Sequence, residues 1–441
     1  VKLIKTLLTF SIIAALVAGI VLYFRDTDAP KLTLSPANGA VSGKTAFSLI
    51  MEDNGAGLKD LSVVVKQGEQ SYPLLVKSYE KGQSFATEEF SLQALKLKDG
   101  PITVQVSAAD HSIYHFGAGN VVQQDWNFEL DRQPPLVTSI STSHNFNQGG
   151  AGLVVYTVSE DVQTSGVQLG DMFFPGYKQP SGQYLCLLAF PWNQKPSSLT
   201  PRLVATDIAG NERQAGFYYH VNPKSFPKDN VNISDNFLNS KMPEFSQIYP
   251  EISNDLDLFL KVNSELRQQN RSRLHELAKQ TSTTPQWSPG SFERQPKSST
   301  PGVFGDDRTY YYQGQKIDRQ THLGVDLAST AQAPIFAATS GTVILAEYFG
   351  IYGLCVIIDH GIGLQTLYGH LSQTDVQVGS SVQKGTIIGR SGATGLAGGD
   401  HLHFGVLVSG LPVQPLEWWD DTWVKNNISS KLELLTGNQN R

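Results

Sequence analysis

Lys5 and Arg25 enclose a run, Thr6 to Phe24, that contains no charged residue. As a helix this run spans ~28 Å, close to the ~30 Å of a bilayer's hydrocarbon core. Residues 1–28 are therefore expected to form a transmembrane anchor. Lys2 and Lys5 precede the run, while Arg25, Asp26 and Asp28 follow it. That basic bias at the N-terminal end predicts a single pass, with the bulk of the chain outside the cytoplasm. The run exceeds the apolar core of a usual signal peptide, and no small-x-small site follows Phe24, which favours a retained anchor over a cleaved leader.

The chain has 441 residues, 40% of them hydrophobic and 17% charged, enough for several ordinary domains. A net charge of −6, with no long Lys/Arg run, offers no basic face for nucleic acid and excludes that partner class. Cys186 and Cys355 each sit inside an apolar run and are expected as buried, unpaired thiols, although an extracytoplasmic location would permit a disulfide.

A mainly β chain is predicted. From Ala29 to Asn222, short alternating runs such as Leu61 to Val65 and Ile102 to Val106 are separated by Gly, Asn, Asp and Pro. Ala29-Pro30-Lys31-Leu32-Thr33-Leu34 recurs weakly as Pro134-Pro135-Leu136-Val137-Thr138-Ser139, which suggests two β-sandwich modules, 29–132 and 133–222. The stretch Ala205 to Asn211 resembles the late strand and turn of bacterial immunoglobulin-like domains. Residues 223–300 read as a helical segment and linker. Ser253 or Asn254 can cap a helix that gathers Leu256, Phe259, Leu260, Leu266, Leu274 and Leu277 on one face, which predicts packing against its own protein. Gln280 to Ser299 has linker composition. Residues 301–425 are again β-rich, and 426–441 read as a C-terminal tail.

Five of the ten histidines lie between positions 322 and 403, in His322-Leu323-Gly324-Val325-Asp326, in Tyr368-Gly369-His370-Leu371, in His401-Leu402-His403, and singly at His360. Strand alternation turns His401 and His403 to one face and Leu402 to the core, so one short strand delivers two imidazoles. His322 and Asp326, at an even offset, can share a face of an extended segment, with Gly324 leaving room between them. Two imidazoles and a carboxylate would leave Zn²⁺ an open position for water. The inventory exceeds what a closed structural site needs and suits a catalyst.

On these motifs, residues from about Gly302 to Pro415 resemble the lysostaphin-type (LytM-like) zinc metallopeptidase family. The first motif resembles the family's H-x-G-x-D segment, and His401-Leu402-His403-Phe404 its H-x-H segment. Further agreement lies in Phe304-Gly305, Asp359-His360-Gly361, Val382 to Gly389 and Ser391 to Gly395. The resemblance implies an antiparallel β-groove, zinc held by His322, Asp326 and His403, and catalytic roles for His370 and His401. It further implies endopeptidase action on peptidoglycan peptides by a protein of the bacterial inner membrane whose bulk is periplasmic. The alternative is a non-catalytic or latent wall-binding protein that activates another hydrolase, or whose segment 223–300 lies over the groove. No protein partner is indicated. Asp400, unusual before the H-x-H pair, is expected to point away from His401. His360 reads as support for a strand end, and His111, His115, His144, His220 and His275 as ordinary residues. Trp418-Trp419 and Tyr310-Tyr311-Tyr312 fit either a groove wall or a packed edge.

Overall fold

The computed structural model describes residues 2–436 and shows a mainly β chain that opens with an apolar helix, Lys2–Tyr23. Its stretch Leu3–Tyr23 is long and apolar enough to cross a membrane. The remainder divides into two compact units, one dominated by residues up to Pro135, the other by residues from Leu136 on.

The first unit is a two-layer β-structure. A three-stranded sheet (Lys31–Ser35, Phe47–Glu52, Phe85–Phe90) faces a five-stranded one in which Gly100–Asp110 and Val121–Leu130 are the long neighbours. Alternation sets the core: Ile102, Val104, Val106 and Ala108 are buried from one strand, and Phe47, Leu49 and Met51 from the opposing sheet. Phe47 stacks on Phe90 and meets Phe128 edge-on, each at 5.2 Å.

In the second unit two four-stranded sheets precede the C-terminal domain. Strand Tyr184–Ala189 is buried at every position, because its outer side lies against strand Leu402–Val408 of that domain. Cys186 is buried within it and Cys355 within another strand, both as free thiols. Glu417 ties the same two parts together, accepting from Asn147 Nδ2 at 2.6 Å and from the Ala151 N–H at 3.1 Å. Burial pushes its carboxyl up to about 7 despite those two donors.

Residues 228–277 belong to the C-terminal domain's own interior. Strand Lys228–Ile233 pairs in parallel with Asp307–Tyr312, which pairs in turn with Gln315–Thr321. Ser234 caps helix Asp235–Phe245, and Asn254 caps helix Asp255–Lys261, its Oδ1 accepting from the Asp257 N–H at 3.0 Å. The second helix continues through a π turn, Val262–Leu266, into Arg267–Leu277. Leu258, Phe259, Val262, Leu274 and Leu277 share one core with Leu345, Ile357, Leu367 and Leu407. Residues 280–298 lack regular structure yet are pinned: the N–H groups of Gln286, Phe292 and Glu293 donate to carbonyls of His360, Trp418 and Ala338. Of the stretch expected as a tail, residues 426–436 are helical turns that bury Ile428 and Lys431, and 437–441 lie outside the described residues.

The domain's main sheet has ten strands. Leu402–Val408 runs down its middle, antiparallel to Val325–Ala328 on one side and to Leu364–Thr374 on the other.

Candidate metal centre

The register of that central strand builds the site. His403 lies opposite Asp326 on one neighbour and opposite Gly369 on the other, so paired side chains project to one face. Alternation alone would send His370 to the reverse face. A β-bulge prevents this: Gly369 and His370 together oppose the single residue Cys355, and His370 takes a left-handed φ of 63°. Its ring thereby stands 4.9 Å from that of His401 and 5.8 Å from that of His403. His322 arrives differently from the simple extended segment expected. It follows the end of strand Gln315–Thr321, its N–H still donating to Asp306 O, and the chain bends at Gly324 before Val325–Ala328 begins.

The result brings all five predicted residues together. Ligand atoms of His322, Asp326 and His403 lie within 4.8 Å of one another. His322 Nε2 is 3.0 Å from Asp326 Oδ1 and His403 Nδ1 is 3.1 Å from it, with 3.0 Å between the two nitrogens. His401 Nε2 stands 3.5 Å from the same oxygen. Gly324 is required here, since a Cβ at this position would meet His403 Cε1 and Nε2 at 2.5 Å.

Backbone acceptors fix which nitrogen each ring presents. Nδ1 of His322, His370 and His401 faces the carbonyls of Val303 (2.9 Å), Thr394 (2.8 Å) and Gly399 (2.8 Å). A carbonyl only accepts, so Nδ1 must carry hydrogen, and in a neutral ring Nε2 is left with its lone pair toward the site. His403 is the exception and turns Nδ1 inward.

Electrostatics separate the groups. Burial opposes ionisation of Asp326, but the charge of His322 and hydrogen bonds from His322, His401 and His403 hold its carboxyl well below the usual range. Burial pushes His403 down to about 4, and it pushes His370 well below an ordinary histidine, with His401 and His403 adding to the effect. Burial also works against a charged His401, yet Asp326 outweighs it and raises that ring. One anionic oxygen donor and two imidazole nitrogens on a common centre suit a divalent ion such as zinc.

The site opens into a cavity of about 350 Å³. Val231, Phe237, Phe259 and Arg267 of the 228–277 segment form part of its wall, so this segment shapes the groove and shares its core. Tyr310 and Tyr352 also line it. Trp418 instead packs on Phe292 (5.0 Å), and Trp419 stacks on Phe404 (5.4 Å) beneath Arg294. Asp400 accepts from Ser391 Oγ at 2.6 Å and from the Gln332 N–H at 2.9 Å. His360 supports a strand end, bonded to Ser340 O (2.7 Å) and Thr366 Oγ1 (2.8 Å). Sequence reasoning missed Arg308, whose Nη2 donates to the outer oxygen of Asp326, Oδ2, at 3.1 Å and lies 3.7 Å from Asp306 Oδ2. Nothing in its own surroundings, Asp307-Arg308-Thr309, marks it.

The profile of peptidase family M23 matches residues 320–415. A DD-carboxypeptidase/endopeptidase, Mpg, of Neisseria meningitidis is 38% identical over 95 residues, which are 22% of each chain. The peptidoglycan DD-endopeptidase ShyA of Vibrio cholerae is 36% identical over 96 residues, again 22% of each. The catalytic domain of the antimicrobial peptidase lysostaphin from Staphylococcus simulans is 29% identical. That match covers 27% of this chain and 90% of that one, with a TM-score of 0.24. The chain thus spans about a quarter of the length of the curated relatives it matches.

Proposed function

Because its C-terminal domain is a peptidase family M23 domain of the LytM-like type, we propose that this chain is a zinc-dependent endopeptidase that hydrolyses peptidoglycan peptides outside the cytoplasm, anchored by its N-terminal helix. The observation that carries this reading is the convergence of His322 Nε2, Asp326 Oδ1 and His403 Nδ1 on one centre, with His370 and His401 beside it.

His322, Asp326 and His403 would hold the ion through those three atoms. Zinc bound there supplies a Lewis acid and a water acidified towards a pKa of about 7. His370 and His401 present Nε2 to the reacting region, each ring oriented by its Nδ1 bond. Between them they take the proton of the attacking water, donate to the carbonyl oxygen as it gains charge, and return a proton to the departing amine. The cavity walls hold the extended peptide against this row of groups. Wall peptides as substrate follow from the relatives' activities, and an extracytoplasmic site from the basic residues ahead of the helix.

The test is digestion of purified cell-wall sacculi by the full chain with zinc, with and without chelator. Soluble peptide-containing fragments are expected only with the metal, and His403→Ala should lose both the ion and the activity. Binding to sacculi without release of fragments would overturn the proposal in favour of a non-catalytic wall protein.

A further inference from the structure

The cavity beside the metal centre is lined by two guanidinium groups, Arg308 and Arg267. Arg308 is committed to the carboxylates of Asp326 and Asp306. Arg267 has only neutral partners: Nε donates to the carbonyl of Asn263 at 3.0 Å and Nη2 to Asn263 Oδ1 at 2.6 Å. Among the described residues no carboxylate pairs with it. Asn263 is fully buried, and its own amide is oriented from behind, Nδ2 donating to Asp318 Oδ2 at 2.7 Å. This relay fixes the guanidinium while using two of its five N–H groups. The hydrogens left over include a parallel pair on Nη1 and Nη2, the fork that matches a carboxylate.

The surroundings increase the demand for an anion. Arg271 follows one turn later on the same helical face, partly buried and likewise without a carboxylate partner among the described residues. Tyr352 lines the same cavity wall as Arg267, and its ring is 5.4 Å from that of His403. A group held by Arg267 therefore lies about one side chain away from the reacting region.

We propose that Arg267 is a carboxylate-binding subsite of the groove, taking a free carboxylate of the peptide substrate close to the bond that is cut. The proposal rests on the peptidase reading above and adds to it a charge requirement in the substrate.

The experiment uses a wall-type pentapeptide ending in D-alanyl-D-alanine, and variants in which each carboxylate in turn is replaced by a carboxamide. With the zinc-loaded full chain, one amidation should lower kcat/KM at least tenfold, mainly through KM. In Arg267→Gln the same amidation should cost less than twofold, and Arg267→Lys, which keeps charge without the fork, should fall between. Equal cleavage of all the peptides by the unaltered chain, or an undiminished acid preference in Arg267→Gln, would overturn it. If neither these peptides nor sacculi are cut, the peptidase reading fails; in that case, as when sacculi alone are cut, the subsite is read by calorimetry. Zinc-loaded His401→Ala should bind the acid at least tenfold more tightly than its amide, and the added Arg267→Gln should remove that difference. Equal binding of the two forms would refute the subsite independently of turnover.

Discussion

At the scale of single residues, the site is a set of atoms held by what lies just outside them. Arg308 grips the outer oxygen of Asp326 and thereby turns Oδ1 toward the imidazoles. Arg308→Met should weaken zinc binding ~10–100-fold, with activity recovered at excess metal, as read by competition against a chelating dye. His360 is buried, and its folded pKa lies at about 4 against 6.5 when unfolded. It therefore contributes fully above about pH 6.5, and up to ~3 kcal/mol is lost as pH falls toward 4. Thermal melting at pH 7 and pH 5 checks this, and His360→Gln should flatten that part of the profile. The five residues gathered at the candidate centre were legible because each stands in a short ordered motif whose spacing carries chemistry. Arg308 was not, because its bond to Asp326 exists only once two strands are brought together; Arg267 was not, because its partner Asn263 is local but the cavity it faces is assembled by the fold. His370 was legible as a residue but not as a direction, since its aim depends on a bulge that no local pattern announces.

Elements tell a similar story with different exceptions. The cap at Asn254 and the apolar face after it place the helix correctly, and its packing on the same protein follows from that face. Phe259 is fully buried, between the helix and Tyr310 of the groove sheet at 5.8 Å. Phe259→Ala should cost ~3–5 kcal/mol, seen as an earlier denaturant transition of the second unit and a fall in activity as the cavity wall relaxes. Deleting 228–277 would accordingly remove part of the core, so release of a latent activity is not the outcome to expect. Strand periodicity was readable where one sheet face is exposed, as in Gly100–Asp110, and silent where both are covered, as in Tyr184–Ala189; in Leu402–Val408 only the alternation at its histidine end was readable. The Ser/Pro-rich stretch after Gln280 has linker composition but is held by backbone bonds to elements far along the chain, which composition does not encode.

For the whole molecule, the N-terminal helix is long and apolar enough to cross a membrane. Leu3, Leu7, Phe10 and Leu16 are among the large apolar side chains it leaves exposed, a surface that lipid satisfies and water does not. Removal of residues 1–24 should move the chain from the carbonate-resistant membrane pellet to the soluble fraction, with the rate of sacculus digestion in solution retained. The sequence located this apolar helix and both β-rich regions ahead of the C-terminal domain. How the second of these joins that domain lay beyond it, because the joining contacts, Glu417 with Asn147 and Tyr184–Ala189 with Leu402–Val408, link residues more than two hundred positions apart. That shared interior bears on excision as well as on folding. A peptidase segment cut near residue 301 would carry a bare apolar face and an orphaned glutamate into any new host protein. Within this chain the second pair of sheets and the metal centre therefore depend on one another, and a peptidase segment used alone would need that face covered by something else.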